Sequence, residues 1–466
     1  MTKPQRSLIF FTLTLAFFIV APAIVLLSQG YLFDFKNLRL VQAGGVFIKT
    51  NPESVIINIQ PQTGGKSKTL QSKTSLLGSG GTLIKNLLPQ KYIVSVKPTT
   101  QEEISWEKEL EVNPLQVTKA TRIIFPVLKP EIASSTILAM PSLIIIPENN
   151  RKMFLYTNAT GKIFRHENAT STLLVDTKTI TGFPRNESIS KIIPSSSGKS
   201  FLALSKTDGV VFSETQGTFL ASSFFKLFLQ TEKNNLSQTR FVWHENNDNI
   251  LFALTSKNNY FFDLEKQEYA VFYNKKIIAL SEEYFVDEQG IIYHFDYSNE
   301  NSIRELLNTG LETQNASIKN LGKNNFLLKN NENEIYFFDE TKKEKIADGV
   351  EKIIVSEDNS RLAYFNKDDS VFIYFLEDVF DDLLYKKGEA LSLGVSNNIN
   401  NIYFAHFNWQ IVTISEKNAM IVEIDKRMPV NKYKINLGKI SNTINFEDQT
   451  LIWLEDNVLK SAKILP

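Results

Sequence analysis

Only four histidines occur in the 466-residue chain: His166, His244, His294 and His406. Histidine is the side chain best suited to general acid–base work and metal binding near neutral pH. No two are spaced as H-x-x-x-H, and no H-E-x-x-H is present, so no helix face offers a paired zinc site. Each lies in or beside an apolar, strand-like run and reads as a structural or surface histidine. A fold that converges distant segments on one axis would still be able to bring them together. The run "LEDVFDDLLY" carries Glu377, Asp378, Asp381 and Asp382, hard oxygen donors of the kind calcium takes. It lacks the alternate spacing and turn glycine of a calcium loop, and reads as a solvated connection between strands. "GKS" at Gly198 has no glycine at the upstream position that a phosphate loop needs, and no G-x-S-x-G elbow occurs. The chain has no cysteine, which removes disulfides, thiolate metal sites and thiol nucleophiles. No catalytic, cofactor-binding or metal-ligating residue is nominated, and the balance is against an enzyme.

What remains are the elements. Lysine plus arginine equal aspartate plus glutamate, 51 against 51. No basic field exists to hold a nucleic acid. Residues 7–27 carry no charge, and as a helix they span about 30 Å, one hydrocarbon core. Lys3 and Arg6 precede this run, which favours a short inside tail of residues 1–6 and an extracytoplasmic remainder, residues 28–466. Ala21-Pro22-Ala23 resembles a signal-peptidase site, so a cleaved signal is the alternative, with a buried soluble helix as a third reading. The apolar run continues through Leu27, which suits an uncleaved anchor better. Residues 28–43 read as a juxtamembrane linker.

Residues 44–127 alternate with period two. Val55, Ile57 and Ile59 share one face; so do Tyr92, Val94 and Val96. Trp106, Leu110 and Val112 share another, opposite Glu107, Glu109 and Glu111. This describes a half-buried antiparallel sheet with one wet side. The Gly/Ser/Lys-rich residues 63–81 read as a mobile loop between strands. The order "IKTNPESVIINI" then "TLIKNLLPQKYIVSV" resembles a PEGA domain, with Pro52-Glu53-Ser54 in place of the signature corner. Gln90-Lys91 departs from that family's usual turn. The wider pattern is similar to membrane-anchored PEGA proteins of bacteria with reduced genomes. The resemblance implies a small immunoglobulin-like sandwich of the kind found in surface and envelope proteins, and no catalytic residues. By itself such a module reads as a stalk or spacer, with glycan contact as the alternative. Tyr92 and Trp106 alternate with apolar positions and are expected in its core rather than on a sugar.

Residues 128–466 repeat. Eight apolar hairpins start at Lys152, Ser200, Ile250, Glu283, Asn325, Arg361, Gln410 and Leu451, about 33 to 50 residues apart. Their turns hold Asn, Lys, Asp and Gly, which accept tight hairpin geometry. Polar leads precede several of them: "SSSGKS", "ENNDNI", "SEDNSR" and "FEDQT". "SSSGKSFLAL" and "SEDNSRLAYF" resemble the leads of TolB-type and WD40-like propellers. The expected fold is a β-propeller of eight blades, or of seven if one hairpin is an insertion. Residues 222–238 are the expected irregular connection. The last hairpin ends the chain without a fourth strand, so a strand from residues 134–147 is expected to complete that blade. "ETKKEKIADG", residues 340–349, reads as a wet turn.

The whole is mainly β: tail, membrane helix, PEGA-like sandwich, propeller. The function expected is a membrane-anchored binding or scaffolding protein that presents its propeller to an envelope protein or glycan, with no cofactor and no nucleic acid. The alternative is a propeller hydrolase or lyase acting on envelope glycans, with acids gathered at the axis.

Overall fold

The computed structural model describes residues 3–466 except 35–37, 73–80, 102, 139–140, 148–152, 168–169, 233–235, 237–238, 282, 297–301, 312–315, 340–341 and 396–397. Helix α1 (Lys3–Ser28) opens the chain. None of its segment Leu8–Ser28 is buried in the protein, and the segment is long and apolar enough to cross a membrane. Two residues later, β1 (Tyr31–Asp34) and β2 (Arg39–Gln42) pair as an antiparallel hairpin, Phe33 opposite Leu40. The segment expected as a linker is thus partly structured.

The small domain is a two-sheet sandwich. One sheet orders β6 (Gly81–Leu87), β3 (Gly44–Asn51) and β9 (Val117–Ile124). The other orders β5 (Lys68–Ser72), β4 (Val55–Pro61), β7 (Lys91–Pro98) and β8 (Trp106–Glu111). The Pro-Glu-Ser corner therefore carries the chain from one sheet to the other. Not every pairing is antiparallel: β3 runs parallel to β9. Five residues of the segment expected to be a loop form β5 on the edge of β4, while residues 73–80 lie outside the described residues. Val55, Ile57, Ile59, Tyr92, Val94, Val96, Trp106 and Leu110 are buried between the sheets, as their alternation requires. At the entry to β3 a Cβ on Gly44 would stand 2.3 Å from the Asn113 carbonyl oxygen, so only glycine fits there.

Eight four-stranded antiparallel sheets follow among the described residues. We number them blade 1 to blade 8. Blade 1 starts at strand Pro141–Ile145, blade 2 at Lys191–Pro194, blade 3 at Arg240–His244 and blade 4 at Ile277–Ser281. Blade 5 starts at Ala316–Asn320, blade 6 at Val350–Val355, blade 7 at Asn401–Ala405 and blade 8 at Asn442–Glu447. All eight hairpins of the sequence are the second and third strands of these sheets. They were legible because both their faces are covered, so they read as near-continuous apolar runs. The polar leads are the connections between first and second strands. The fourth strands are half-exposed and harder to see. One of them, Lys343–Ala347, occupies half of the segment expected to be a wet turn.

Blade 8 takes its outer strand from the start of the domain: β10 (Ile132–Ile137) pairs with Val458–Lys463. The closure expected from the sequence is present. A packed apolar cluster fills each junction between neighbouring blades. Leu454 and Leu459 of blade 8 meet Phe154 and Tyr156 of blade 1 across the closing seam. Between blades 2 and 3 the chain makes two short helices, α2 (Ala221–Phe224) and α3 (Lys226–Glu232), within the stretch expected to be irregular. Phe225 and Phe228 pin them, both fully buried beside Phe241 and Phe262.

Candidate functional site

Consecutive antiparallel strands put the first-to-second and third-to-fourth connections of every blade on one face. The second-to-third and blade-to-blade connections lie on the other. The sandwich docks on the first of these faces, at blades 6 to 8. Its core and that of blades 7 and 8 form one apolar cluster, from Val46 and Trp106 through Phe125 to Tyr433 and Trp453. The polar joint grows around this cluster.

Strand β8 is an edge strand, and an uncovered edge invites pairing. Here the loop after Glu423 covers it. The Glu109 amide donates to the Met428 carbonyl at 2.9 Å, and the Glu107 amide to Asn431 Oδ1 at 3.0 Å. Lys108 lies on the inward face between Trp106 and Leu110 and is fully buried. Its Nζ stands 3.2 Å from Glu423 Oε2 and donates to the Arg427 carbonyl at 2.7 Å. The same carboxylate accepts from Trp106 Nε1 at 2.9 Å and from Asn431 Nδ2 at 2.9 Å. Burial raises the Glu423 carboxyl above its ordinary range, against the pull of Lys108. Arg427 forks onto Asp425, with Nε 3.0 Å from Oδ1, and Nη1 reaches the Lys119 carbonyl at 2.8 Å.

The acidic run expected to be a solvated connection is the other half of the joint. Val379–Phe380 and Leu384–Tyr385 pair as a small hairpin on blade 6. At its tip Asp381 pairs with Arg122. Asp382 accepts from the Thr121 amide at 2.6 Å and from Thr121 Oγ1 at 2.8 Å. These acids hold the sandwich and are not arranged as a calcium loop. Trp409 is clasped between two guanidinium groups, Arg122 at 3.4 Å and Arg361 at 4.0 Å from its ring centre. Burial lowers Arg122 to about 10 despite Asp382, which leaves it charged at neutral pH. Lys108, Arg122, Arg361 and Arg427 face Glu423, Asp425, Asp381 and Asp382, so the joint balances in charge.

Elsewhere the innermost strands carry Lys191, Arg240, Lys319, Glu351, Lys352 and Glu447 as their described charged residues. Arg240 Nη1 donates to the Ile278 carbonyl at 3.0 Å, and Lys352 bonds Asn401, tying neighbouring blades. A cavity of about 460 Å³ opens where three first-to-second connections meet, lined by Glu357, His406, Phe407, Asn408, Glu447 and Asp448 among others. His406, Phe407 and Asn408 all hold positive φ, at 45°, 51° and 65°. Phe407 is 83 % exposed. Burial, with Arg122 nearby, pushes His406 below its ordinary pKa, so this imidazole is neutral at pH 7.

The other histidines take structural places. His166 stacks on Phe154 at 4.8 Å and bonds Ser171 through Nδ1. His244 and His294, fifty residues apart, converge on Glu283 at the junction of blades 3 and 4, with Nε2 3.5 Å and 3.1 Å from its two oxygens. That set resembles half a metal site. However, the Asn246 amide donates to His244 Nδ1 at 3.1 Å, so the proton sits on Nε2, the atom a metal would need. His294 hydrogen-bonds Glu283, while His244 only lies against its other oxygen. Among the described residues no group of three His, Asp or Glu is arranged to hold a metal ion.

No family model matches the chain. No curated protein matches it in sequence. Solved structures do. The C-terminal WD40 domain of Sif2 is similar at 9 % identity and a TM-score of 0.46, over 72 % of this chain and 99 % of that one. BamB from Moraxella catarrhalis is similar at 10 % identity and a TM-score of 0.43, over 72 % and 99 %. A eukaryotic initiation factor is similar at 11 % identity and 0.45, over 86 % and 89 %. Each is a resemblance of overall architecture.

Proposed function

We propose that this chain is a single-pass membrane protein whose PEGA-like sandwich acts as a rigid bracket, presenting the propeller to a protein or glycan partner at the cell envelope. The observation that carries this reading is the joint. A spacer needs only to hold two bodies apart. Here a buried lysine, two clasped arginines and four carboxylates lock one body onto the other. The sandwich leaves the opposite propeller face open. That face carries the two longest blade-to-blade connections, residues 177–190 and 221–239. Loops on a rigid frame are where binding residues gather.

The first test is partition. The full chain should stay with membranes through high salt and alkaline extraction, while residues 29–466 should not. The second is capture on defined envelope glycans and envelope proteins, comparing Lys178→Ala/Arg185→Ala on the open face with Glu357→Ala on the docked face. Loss only with the open-face variant supports the reading; equal binding by both refutes the proposed face. A second reading, a hydrolase or lyase of envelope glycans, rests on the cavity carrying Glu357, Glu447, Asp448 and His406. Turnover of a glycan that Glu447→Gln abolishes would favour it.

A further inference from the structure

The sandwich carries an apolar collar at the end nearest α1. Phe33 and Leu40 are cross-strand partners in the β1–β2 hairpin, 43 % and 51 % exposed. Leu38, at the hairpin turn, is 77 % exposed, and Leu115, in the β8–β9 connection, is 62 % exposed. Val117 beside it is 48 % exposed. Both leucines hold left-handed backbone, with φ of 48° and 55°. This conformation is disfavoured for any residue with a Cβ, and leucine gains nothing from it in water. Leu115 is a neighbour of the helix exit, and Leu38 stands at the far end of the hairpin that starts there. Leu115 Cδ2 lies 3.5 Å from the Cβ position of Gly30, and the Leu115 amide donates to the Ala43 carbonyl at 2.9 Å.

We infer that the collar of Phe33, Leu38, Leu40, Leu115 and Val117 seats in the lipid headgroup–acyl boundary of the leaflet from which α1 emerges. The inference rests on the membrane reading of α1 made above. The occupant follows from position. Segment Leu8–Ser28 has 21 residues, about 32 Å of helix, which matches one hydrocarbon core. The hairpin begins three residues beyond its end, at the depth of the interface. Tyr31, first in the hairpin, is an aromatic at the level where Tyr and Trp gather. Arg39 stands beside Leu38, its side chain 66 % exposed and its Nε 3.7 Å from Asp34 Oδ2, so it is already paired within the hairpin. Two attachments, helix and collar, would fix the tilt of the sandwich. The joint would then pass that orientation to the propeller.

The natural absence of cysteine makes the test clean. Single variants Leu15→Cys, Leu38→Cys, Leu115→Cys and Lys206→Cys are made in the full chain and spin-labelled. They are reconstituted in phosphatidylethanolamine–phosphatidylglycerol vesicles. Relaxation by oxygen is compared with relaxation by a water-soluble nickel chelate. Labels at 38 and 115 should relax more with oxygen than with nickel, as at 15 and opposite to 206. Labels at 38 and 115 that behave like 206, with 15 lipid-like, overturn the collar and leave the anchor standing. Labels there shielded from both reagents mean that protein covers the collar, which also overturns it. A water-like label at 15 overturns the anchor and the collar with it.

Discussion

The most demanding prediction concerns Lys108 and Glu423. At 3.2 Å and an effective dielectric of about 20, their direct attraction is roughly 5 kcal/mol. Desolvating the two ions costs several kcal/mol each, so the intact pair contributes little net stability. The asymmetry is what can be measured. Lys108→Met strands a buried carboxylate and should cost about 3–5 kcal/mol. Glu423→Gln strands a buried ammonium and should cost a similar amount. The double variant, in which the amide still accepts from Trp106 Nε1, should lose far less than the sum. The pH dependence has a definite sign. Without Lys108 the Glu423 carboxyl, already raised by burial, rises further above its unfolded value. Its penalty is then absent below the unfolded pKa and grows as pH climbs through the folded one. The Lys108→Met loss should therefore be smaller at pH 5 than at pH 8. Urea unfolding of the full chain in detergent reads this directly, because two of the four tryptophans, Trp106 and Trp409, sit at the joint. A loss under about 1 kcal/mol in Lys108→Met, the same at both pH values, would refute a dry, interlocked joint.

Two further outcomes follow from the same reasoning. Deleting residues 134–147 removes most of β10 and the first strand of blade 1. Calorimetry should then show the whole propeller melting earlier or failing to fold, and an unchanged melt would disprove closure through β10. Glu334 accepts from Lys345, from Tyr336 at 2.9 Å and from Asn330 at 2.6 Å, which hold its carboxyl down to about 2 from 4.5. Its contribution is present above pH 4.5 and lost as pH falls toward 2, so Glu334→Gln should flatten the acid limb of the melting-temperature profile between those values.

The architecture was legible because burial on both faces leaves an unmistakable pattern. Each propeller hairpin, such as Phe201–Leu204 against Val210–Phe212, is covered by neighbouring blades and so is apolar throughout. Outer strands keep one wet side, so Lys343–Ala347 has the polar composition of a turn. Lys108 was the one visible signal of the joint, a charge on the same face as Trp106 and Leu110. Such a residue must either face water or meet a partner. Its partner, Glu423, lies 315 positions away, beyond any periodicity. The acidic run 376–385 has the composition of a wet loop, because the cation that neutralises Asp381 belongs to another domain.

By itself, then, the sequence determined what each segment needs. Residues 7–27 need an apolar surround, the alternating strands of 44–127 need a facing sheet, and eight two-faced hairpins need neighbours in a ring. These are local requirements, set by the period of side chains along the backbone. Only the tertiary structure decided which surfaces satisfy each other. It placed Trp106 and Lys108 on Glu423, Arg122 on Trp409, and two histidines on Glu283. It also left Phe33, Leu38, Leu40 and Leu115 exposed on the small domain. The reason is physical: a charge or a ring specifies that a partner is required, while the identity of that partner depends on which distant segments the closed propeller brings within a few ångströms.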